Sequence, residues 1–236
     1  MSAGYCEDLA AIHADGFTML AEAAAREVQA RVAPGSHIVE LGCGDGTTAA
    51  ILAGAGYDVV GVDASPAMIG LARARAPRAQ FVTSSFMDVQ LPAGLDAVLA
   101  VGEVLGYLLD ERAALDDVFE KIGDALKPGG LLLFDLAGPG RVPPAGQRAW
   151  TEGDGWAVMV DAVEHDDLLE RRIVAFRDRG DGDFHRTEEV HRLRLYRPAD
   201  VLARLRAAGF AAEVLPHGYA GETLPGTWNV FAAARA

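Results

Sequence analysis

The stretch that most constrains this chain is residues 38–47, with the sequence IVELGCGDGT. An apolar run ends at an acid, Glu40, and three glycines follow at alternate positions before an alanine-rich helical pattern begins. This order predicts a strand, a tight turn and a helix, because glycine adopts the backbone angles of a sharp turn and lets a ligand approach the main chain. The free N–H groups and the dipole of the helix point at that turn. A nucleotide-like ligand is the expected occupant.

The glycine spacing separates two classes of nucleotide cofactor. A dinucleotide-binding turn has the pattern G-x-G-x-x-G, whose third glycine lets helix and strand approach beneath a pyrophosphate. Here the glycines are Gly42, Gly44 and Gly46, so Thr47 stands where that third glycine would be. Glu40 would repel a pyrophosphate and attract a cationic ligand. The pattern therefore disfavours a nicotinamide-dependent oxidoreductase, which is kept as an alternative.

These residues resemble the first motif of the class I S-adenosylmethionine-dependent methyltransferases, in which an acid precedes three alternating glycines. Residues 126–130, Leu-Lys-Pro-Gly-Gly before an apolar strand, resemble a second feature of that family. The resemblance covers residues 32–136 closely. It implies S-adenosyl-L-methionine as the cofactor and methyl transfer to a nitrogen or oxygen of a small molecule. A catalytically silent S-adenosylmethionine-binding module is a second alternative.

Hydrophobic periodicity predicts one α/β domain with a doubly wound, mostly parallel seven-stranded sheet of Rossmann-like type and a small antiparallel β insertion. A helix is predicted between Phe17 and Val32, and another begins at Asp110. Three charged strands are predicted in the insertion, at residues 156–164, 168–177 and 185–196. The expected divisions of the single domain over residues 1–236 are a helical lid (1–34), a cofactor-binding core (35–140), the insertion (141–197) and a closing helix with a strand pair (198–236).

The composition limits the partners. A net charge of −13 disfavours nucleic acid, because binding to phosphates needs a basic surface. Cys6 and Cys43 show no metal-ligand spacing, so neither a disulfide framework nor a metal site is indicated. No leader pattern opens the chain, and its apolar runs are too short to span a bilayer. We expect a cytoplasmic monomer or homodimer that acts on a small molecule, with no membrane or nucleic-acid partner.

The strand ends supply the predicted cofactor contacts. Asp63 follows Gly42 by about 20 residues, the spacing at which an acid meets a ribose in a βαβ unit. Ser65 and Pro66 already provide a helix cap and first turn, which leaves the Asp63 carboxylate for a ligand. Whether Ser85 or Asp88 faces adenine stays open. Apolar members of the set could equally be core residues. The predicted set is Tyr5, Glu40, Gly42, Cys43, Gly44, Asp63, Ala64, Met68, Ser85, Phe86, Met87, Val101 and Gly102.

The acceptor side needs a base only if the acceptor must lose a proton. The predicted catalytic candidates are Glu103, His13, His191 and Tyr107. Glu103 could instead bind the donor's ammonium, hold an amine, or cap the helical turn toward Tyr107. His13 and Tyr5 belong to the segment expected to fold over the cofactor as a lid, with a solvated helix face as the alternative. His191 belongs to the insertion, where a solvated outer face is the alternative.

Overall fold

The computed structural model describes residues 5–109, 115–180, 182–222 and 224–236. Within these ranges the chain forms two β-sheets, and the predicted seven-stranded α/β architecture is confirmed. The main sheet consists of β1 (His37–Leu41), β2 (Asp58–Asp63), β3 (Gln80–Thr83), β4 (Leu95–Ala100), β5 (Leu126–Ala137), β10 (Phe210–Leu215) and β11 (Trp228–Arg235).

The main sheet has the strand order β10-β11-β5-β4-β1-β2-β3. The pairs β1–β2, β1–β4, β2–β3 and β4–β5 are parallel. Strand β11 is antiparallel to the rest of the main sheet, because it pairs antiparallel with both β5 and β10. The chain changes direction across the sheet between β1 and β4, and ligands of open α/β sheets bind at the carboxyl ends of the strands at such a switch point.

Helices cover both faces of the main sheet. They are α2 (Met19–Arg31), α3 (Thr47–Gly54), α4 (Pro66–Arg75), α5 (Leu115–Ala125) and α6 (Pro198–Ala207). Side chains of α2 and α3 pack with one buried cluster and those of α5 and α6 with another. In the second cluster the ring of Phe134 stacks on that of Phe231, with centroids 5.0 Å apart, and contacts the tilted ring of Phe119, with centroids 5.6 Å apart. In the described ranges, no helix is long and apolar enough to cross a membrane.

The insertion forms a separate antiparallel sheet with the order β6-β7-β8-β9. Its strands are β6 (Gln147–Gly153), β7 (Trp156–His165), β8 (Leu168–Asp178) and β9 (Phe184–Arg194). The last three match the predicted strands, whereas β6 was not predicted. Every residue of β6 is exposed at the edge of the sheet. Its sequence therefore lacks the apolar alternation by which a half-buried strand is recognised.

Helix α1 (Glu7–Gly16) packs between the insertion sheet and α4. Leu9 and Ile12 are buried against Val158, Ile173 and Ala175, which lie on one face of β7 and β8. We call this the inner face of the insertion sheet. The predicted N-terminal helical segment is thus present from residue 5 onward, while its first four residues lie outside the described ranges.

Of the two predicted boundaries around α5, one is not tested and the other differs from the structure. Asp110, the predicted helix start, lies outside the described residues, and α5 is described from Leu115. Residues 127–130, predicted to end the helix and precede the strand, lie within β5. The pairing of β5 with β4 shifts register between Leu95 and Ala97, so the Lys-Pro-Gly-Gly sequence forms an irregularity in the strand.

Candidate active site

The turn after β1 holds three glycines with left-handed backbone angles, Gly42 (φ +67°), Gly44 (φ +52°) and Gly46 (φ +79°). A Cβ on Gly42 would lie 2.4 Å from Val104, and one on Gly46 would lie 2.9 Å from Ala72. These two glycines therefore allow close packing. Gly44 differs, because no atom of the described residues lies within 4 Å of the position of its Cβ. At Gly44 the main chain is open to a ligand.

A second open glycine follows β4. Gly102 has φ +92°, and its Cβ position is likewise more than 4 Å from every atom in the described part of the chain. Half-buried Val101 precedes it and packs on the core. Because β4 and β1 are parallel neighbours, Gly44 and Gly102 follow strands that end at the same edge of the sheet. Together they leave two stretches of uncovered backbone at the switch point.

Asp63 lies at the end of β2, on the other side of β1. Its Oδ2 accepts a hydrogen bond from Gly44 N at 3.0 Å, and its Oδ1 accepts one from Ser65 N at 2.8 Å. Burial raises the pKa of Asp63, and these backbone hydrogen bonds oppose that shift. Ala64 beside it is exposed. The carboxylate therefore ties the glycine turn to the start of α4, and each oxygen keeps acceptor capacity for a hydroxyl group.

Ser65 caps α4 as predicted, since its Oγ accepts a hydrogen bond from Met68 N at 3.3 Å. The same hydroxyl donates to the carbonyl oxygen of Tyr5 at 2.8 Å, which joins the segment before α1 to α4. The side chain of Met68 is buried in the core. Cys43 is also buried, and its sulfur packs against Gly61 of β2. The backbone N–H of Cys43 donates to the carbonyl oxygen of Val62, and ligand contacts of Cys43 and Met68 stay predictions.

Glu40 is a buried carboxylate at the end of β1, with 2% of its surface exposed. Among the residues that the structure describes, none donates a hydrogen bond to its Oε2. Burial, together with the nearby carboxylates of Asp45 and Asp63, raises the pKa of Glu40 to about 8, although a hydrogen bond from Thr48 opposes the shift. A buried acid with an unpartnered oxygen fits a ligand that brings a positive charge. The ammonium and sulfonium groups of S-adenosylmethionine meet that condition.

A lysine of α5 holds the turn after β3 in place. Lys121 Nζ donates to the carbonyl oxygens of Phe86 and Met87 at 3.1 and 3.0 Å. Both side chains are half-buried against the core. Ser85 Oγ accepts a hydrogen bond from Met87 N at 3.2 Å, while Asp88 is exposed. The structure thus describes an ordered turn beside β2 and β3, and the contacts of these residues with an adenine ring stay a prediction.

The structure brings together four predicted aromatic residues from three distant segments. The ring centroid of Tyr5 lies 5.3 Å from that of His13 and 5.1 Å from that of His191, and both ring pairs meet edge to face. The Tyr107 hydroxyl lies 2.9 Å from His191 Nδ1. Burial raises the pKa of Tyr5 to about 12 and that of Tyr107 well above its usual value, and it lowers the pKa of His13. Both tyrosines are therefore protonated near neutral pH.

His191 lies on the inner face of β9 and is 4% exposed, so the solvated-face alternative is wrong for it. Its Nε2 lies 2.9 Å from Glu189 Oε2. Burial would raise the pKa of Glu189, but hydrogen bonds from His191 and Cys6 bring it below its usual value. Sequence reasoning missed Glu189. Its signal was the two-residue spacing from His191, which places both side chains on one face of a strand.

Glu103 is buried beneath the insertion with its backbone in the left-handed region, at φ +61°. Its Oε2 pairs with Arg171 Nη1 at 2.7 Å and its Oε1 with Arg141 Nε at 3.3 Å. The side chain does not cap the following 3₁₀ helix (Val104–Tyr107), so the capping alternative is wrong. The arginines were not predicted as partners. A role of Glu103 toward a substrate stays a prediction.

Asp135 of β5 organises the turn after β4 and was also missed. It is fully buried, and it accepts hydrogen bonds from Gly102 N (2.8 Å), Glu103 N (2.6 Å), Tyr219 Oη (2.7 Å) and Trp228 Nε1 (2.6 Å). Burial raises the pKa of Asp135 to about 6, although its hydrogen bonds oppose the shift. The available signal was an acid inside an apolar strand, because buried acids require partners. Asp135 thereby fixes the open backbone at Gly102.

Comparison with known proteins of similar sequence or structure identifies the family of the chain. A family model described as a methyltransferase domain matches residues 38–130. A putative methyltransferase of Geobacillus sp. (strain WCH70) is 32% identical over 185 residues, covering 74% of this chain and 73% of the relative. The dTDP-3-amino-3,4,6-trideoxy-alpha-D-glucopyranose N,N-dimethyltransferase of Streptomyces venezuelae is 26% identical over 212 residues, with 84% of each chain covered. The crystal structure of a sugar N-methyltransferase from Streptoalloteichus sp. has a TM-score of 0.79 at 25% identity and covers 100% of this chain and 94% of its own.

The chain belongs to the S-adenosylmethionine-dependent class I methyltransferases. The predicted enzyme class, fold and methyl donor are therefore confirmed. Neither the nicotinamide-dependent oxidoreductase nor the silent binding module finds support in these similarities.

Proposed function

We propose that this enzyme transfers a methyl group to a nitrogen or oxygen of a small molecule held between the ends of β1 and β4 and the inner face of the insertion sheet. The supporting observation is the pair of open glycines at the switch point, Gly44 and Gly102. Packing fills neither Cβ position. What distinguishes these two glycines from an open glycine such as Gly35 is their place after the carboxyl ends of β1 and β4, where a ligand can lie against the main chain.

The donor would be held by residues of the first half of the chain. Asp63 has acceptor capacity for ribose hydroxyls, and Glu40 supplies the negative charge that a buried ammonium requires. When bound, S-adenosylmethionine supplies an electrophilic methyl carbon on a positively charged sulfur. The work left to the protein is to orient the acceptor against that carbon and to exclude water.

The acceptor side is lined by groups that recognise a small polar molecule. Tyr5, Tyr107 and His191 present two hydroxyls and an imidazole, and Arg171 and Glu103 lie beside them. The relatives named above include enzymes that methylate amino sugars, so hydroxylated amines are the first acceptors to test. The net charge of −13 favours such molecules over nucleic acids.

Gly102→Ala tests the proposed placement of the donor, and Gly35→Ala is its matched control. Both positions have left-handed angles, φ +92° and φ +87°, and for each the Cβ position is open within the described part of the chain. Both substitutions therefore carry a similar backbone strain. Gly35 lies in the turn before β1, far along the strand from its carboxyl end.

The readouts are binding of S-adenosylhomocysteine by calorimetry and transfer of labelled methyl to a panel of amines and alcohols. We expect the Gly102 variant to lose about tenfold or more in affinity and in turnover, while Gly35→Ala matches the wild type in both. Equal affinity in the two variants would overturn the placement of the donor. A wild type that binds the donor but methylates no amine or alcohol would overturn the proposed acceptor class.

A further inference from the structure

We propose that Glu189 is a positioning residue with two tasks: it sets the tautomer of His191, and it fastens the start of α1. The Tyr107–His191 pair would then be ready to take a proton from the acceptor only while α1 is in place. The inference rests on the proposed function and names a group, Glu189, that neither the motifs nor the relatives assign.

Glu189 uses one carboxylate oxygen for each task. Oε2 lies 2.9 Å from His191 Nε2, and Oε1 accepts a hydrogen bond from Cys6 N at 2.9 Å. Cys6 is the N-cap residue of α1, and its own side chain makes no capping bond. A carboxylate from the neighbouring sheet therefore satisfies a donor at the positive end of this helix.

The hydrogen bonds fix where the protons lie. An ionised carboxylate only accepts, so His191 must carry its hydrogen on Nε2 to bond Glu189. The Nδ1 atom of the neutral ring is then left as an acceptor, and the Tyr107 hydroxyl, 2.9 Å away, donates to it. The phenol oxygen keeps lone pairs that can receive a proton from elsewhere. Tyr107 thus donates to His191, and His191 donates to Glu189.

The order gives a balanced path for the proton of the acceptor. As the acceptor's lone pair forms its bond to the methyl carbon, the electron pair of the broken carbon–sulfur bond stays on sulfur. The acceptor's proton moves to Tyr107 Oη while the Tyr107 proton moves to His191 Nδ1. The resulting imidazolium lies against the Glu189 carboxylate, and the proton leaves to solvent afterwards. Tyr107 returns to its starting form, so the high pKa of its hydroxyl is no obstacle.

Other polar bonds hold α1 to the insertion. Asp8 pairs with Arg177 at 3.4 Å and with Arg179 at 3.5 Å, and Trp156 Nε1 donates to Asp15 at 2.7 Å. Among these described contacts, the bond to Cys6 is the one whose partner also bonds His191. A change in the position of α1 would therefore reach the imidazole through the hydrogen bonds of the Glu189 carboxylate, in addition to the ring contact of Tyr5.

Glu189→Gln separates the two tasks, because an amide has one accepting oxygen where the carboxylate has two. With the glutamine side chain in the place of Glu189, its oxygen accepts a hydrogen bond either from Cys6 N or from His191 Nε2. Its NH₂ group then faces the other of these two nitrogens. Glu188→Gln is the matched control. Glu188 lies next along the same strand on the outer face, where it pairs with Arg172 and Arg186. The Glu188→Gln substitution removes one negative charge from the same strand and leaves the bonds to α1 and His191 intact.

Two measurements on the full chain saturated with S-adenosylhomocysteine decide the matter, with turnover measured in parallel. Nitrogen NMR reports which ring nitrogen of His191 carries the hydrogen, with the signal assigned by its loss in His191→Asn. Hydrogen exchange reports the protection of the amides at the start of α1.

We expect the wild type and Glu188→Gln to show the Nε2–H form and a protected α1. In Glu189→Gln, either the hydrogen moves to Nδ1 or α1 exchanges faster, and turnover falls about tenfold or more. The proposal would be overturned if Glu189→Gln kept both the Nε2–H form of His191 and the protected α1, or if its turnover equalled that of Glu188→Gln. The NMR and exchange results need no turnover, so a failure of the proposed methyl acceptors is recognised separately, by an inactive wild type whose tautomer and protection are as expected.

Discussion

The proposed donor side and the proposed acceptor side of this site are built in opposite ways. The proposed donor side uses backbone atoms and two acids between Glu40 and Ser65, which are close in the sequence, together with the backbone at Gly102. The proposed acceptor side uses side chains of Tyr5, Tyr107 and His191, which come from the N-terminal segment, the turn after β4 and the insertion. A site made of backbone is encoded in local spacing. A site made of side chains depends on how distant segments pack.

If the donor side is as described, Asp63→Ala should have the largest effect. It removes bonds to the glycine turn and to the ribose, and hydrogen bonds to a charged acceptor contribute about 1.5–3 kcal/mol each. We expect affinity for S-adenosylhomocysteine to fall by about two to four orders of magnitude. Asp58→Ala, at the exposed start of the same strand, is the control. Calorimetric affinity within a few-fold of the control would remove Asp63 from the donor site.

On the acceptor side, Tyr107→Phe should lower kcat and leave donor affinity unchanged. General acid–base groups contribute about 10²- to 10⁴-fold to rates, so we expect a loss near the lower end of that range. Tyr57→Phe is the matched control, because its hydroxyl donates to Val32 O at 2.6 Å, away from the site. Steady-state kinetics compare the two. Equal turnover would show that Tyr107 takes no part in proton transfer.

Glu103→Gln tests the boundary between the two sides. Removing the charge leaves Arg171 and Arg141 without their buried partner, and we expect a loss of about 2–3 kcal/mol in the free energy of unfolding, measured with urea. Adding Arg171→Met should restore part of it. Glu170→Gln, whose ion pair is exposed, is the control and should cost about 1 kcal/mol or less.

The same variant separates the remaining roles of Glu103. If its carboxylate serves the acceptor, turnover falls about tenfold or more at unchanged donor affinity. A parallel fall in donor affinity would place it with the donor's ammonium. If stability falls while turnover and donor affinity do not change, Glu103 is an internal partner of the two arginines and no more.

The smallest expected effect concerns pH on the donor side. Because the pKa of Glu40 is raised to about 8, its carboxyl is mostly protonated below that pH in the free enzyme, whereas a bound cation favours the ionised form. Donor affinity should rise with pH, by up to about tenfold per unit, and level off above about pH 8. Calorimetry in buffers of different ionisation enthalpy should detect proton release at neutral pH. The Glu40→Gln variant should release no proton when the donor binds. A wild type that also releases no proton would contradict the role of Glu40 as the partner of the donor's positive charge.

The sequence predicted most of the donor side because its signals are local. The alternating glycines, the acid at the end of β2 and the Ser65 cap each depend on residues a few positions apart, and the structure bears out the strand, turn and helix that they predict. The doubly wound, mostly parallel seven-stranded sheet was also predicted, because parallel strands joined by helices pack in few ways. Donor contacts of individual residues stay predictions.

The acceptor side was predicted only as a collection of candidates. Tyr5, His13, Tyr107 and His191 were named, but nothing in their spacing showed that their rings meet. Arg171 was missed because its pairing with Glu103 joins the turn after β4 to a strand of the insertion sheet. Asp135 was missed because its donors come from other segments, and Glu189 was missed because its bond to Cys6 N joins residues that are 183 positions apart. Strand β6 was not predicted, because an exposed edge strand carries no apolar alternation.

The placement of α1 has a consequence for protein engineering. Helix α1 is wedged between α4 and the inner face of the insertion, and its bonds pair Cys6 with Glu189, Asp8 with Arg177, and Asp15 with Trp156. A chimera that grafts the insertion of a relative onto this core would separate each of these couples. The transferable module is therefore discontinuous, residues 5–16 together with 147–194, and recombination at a single crossover point would break it.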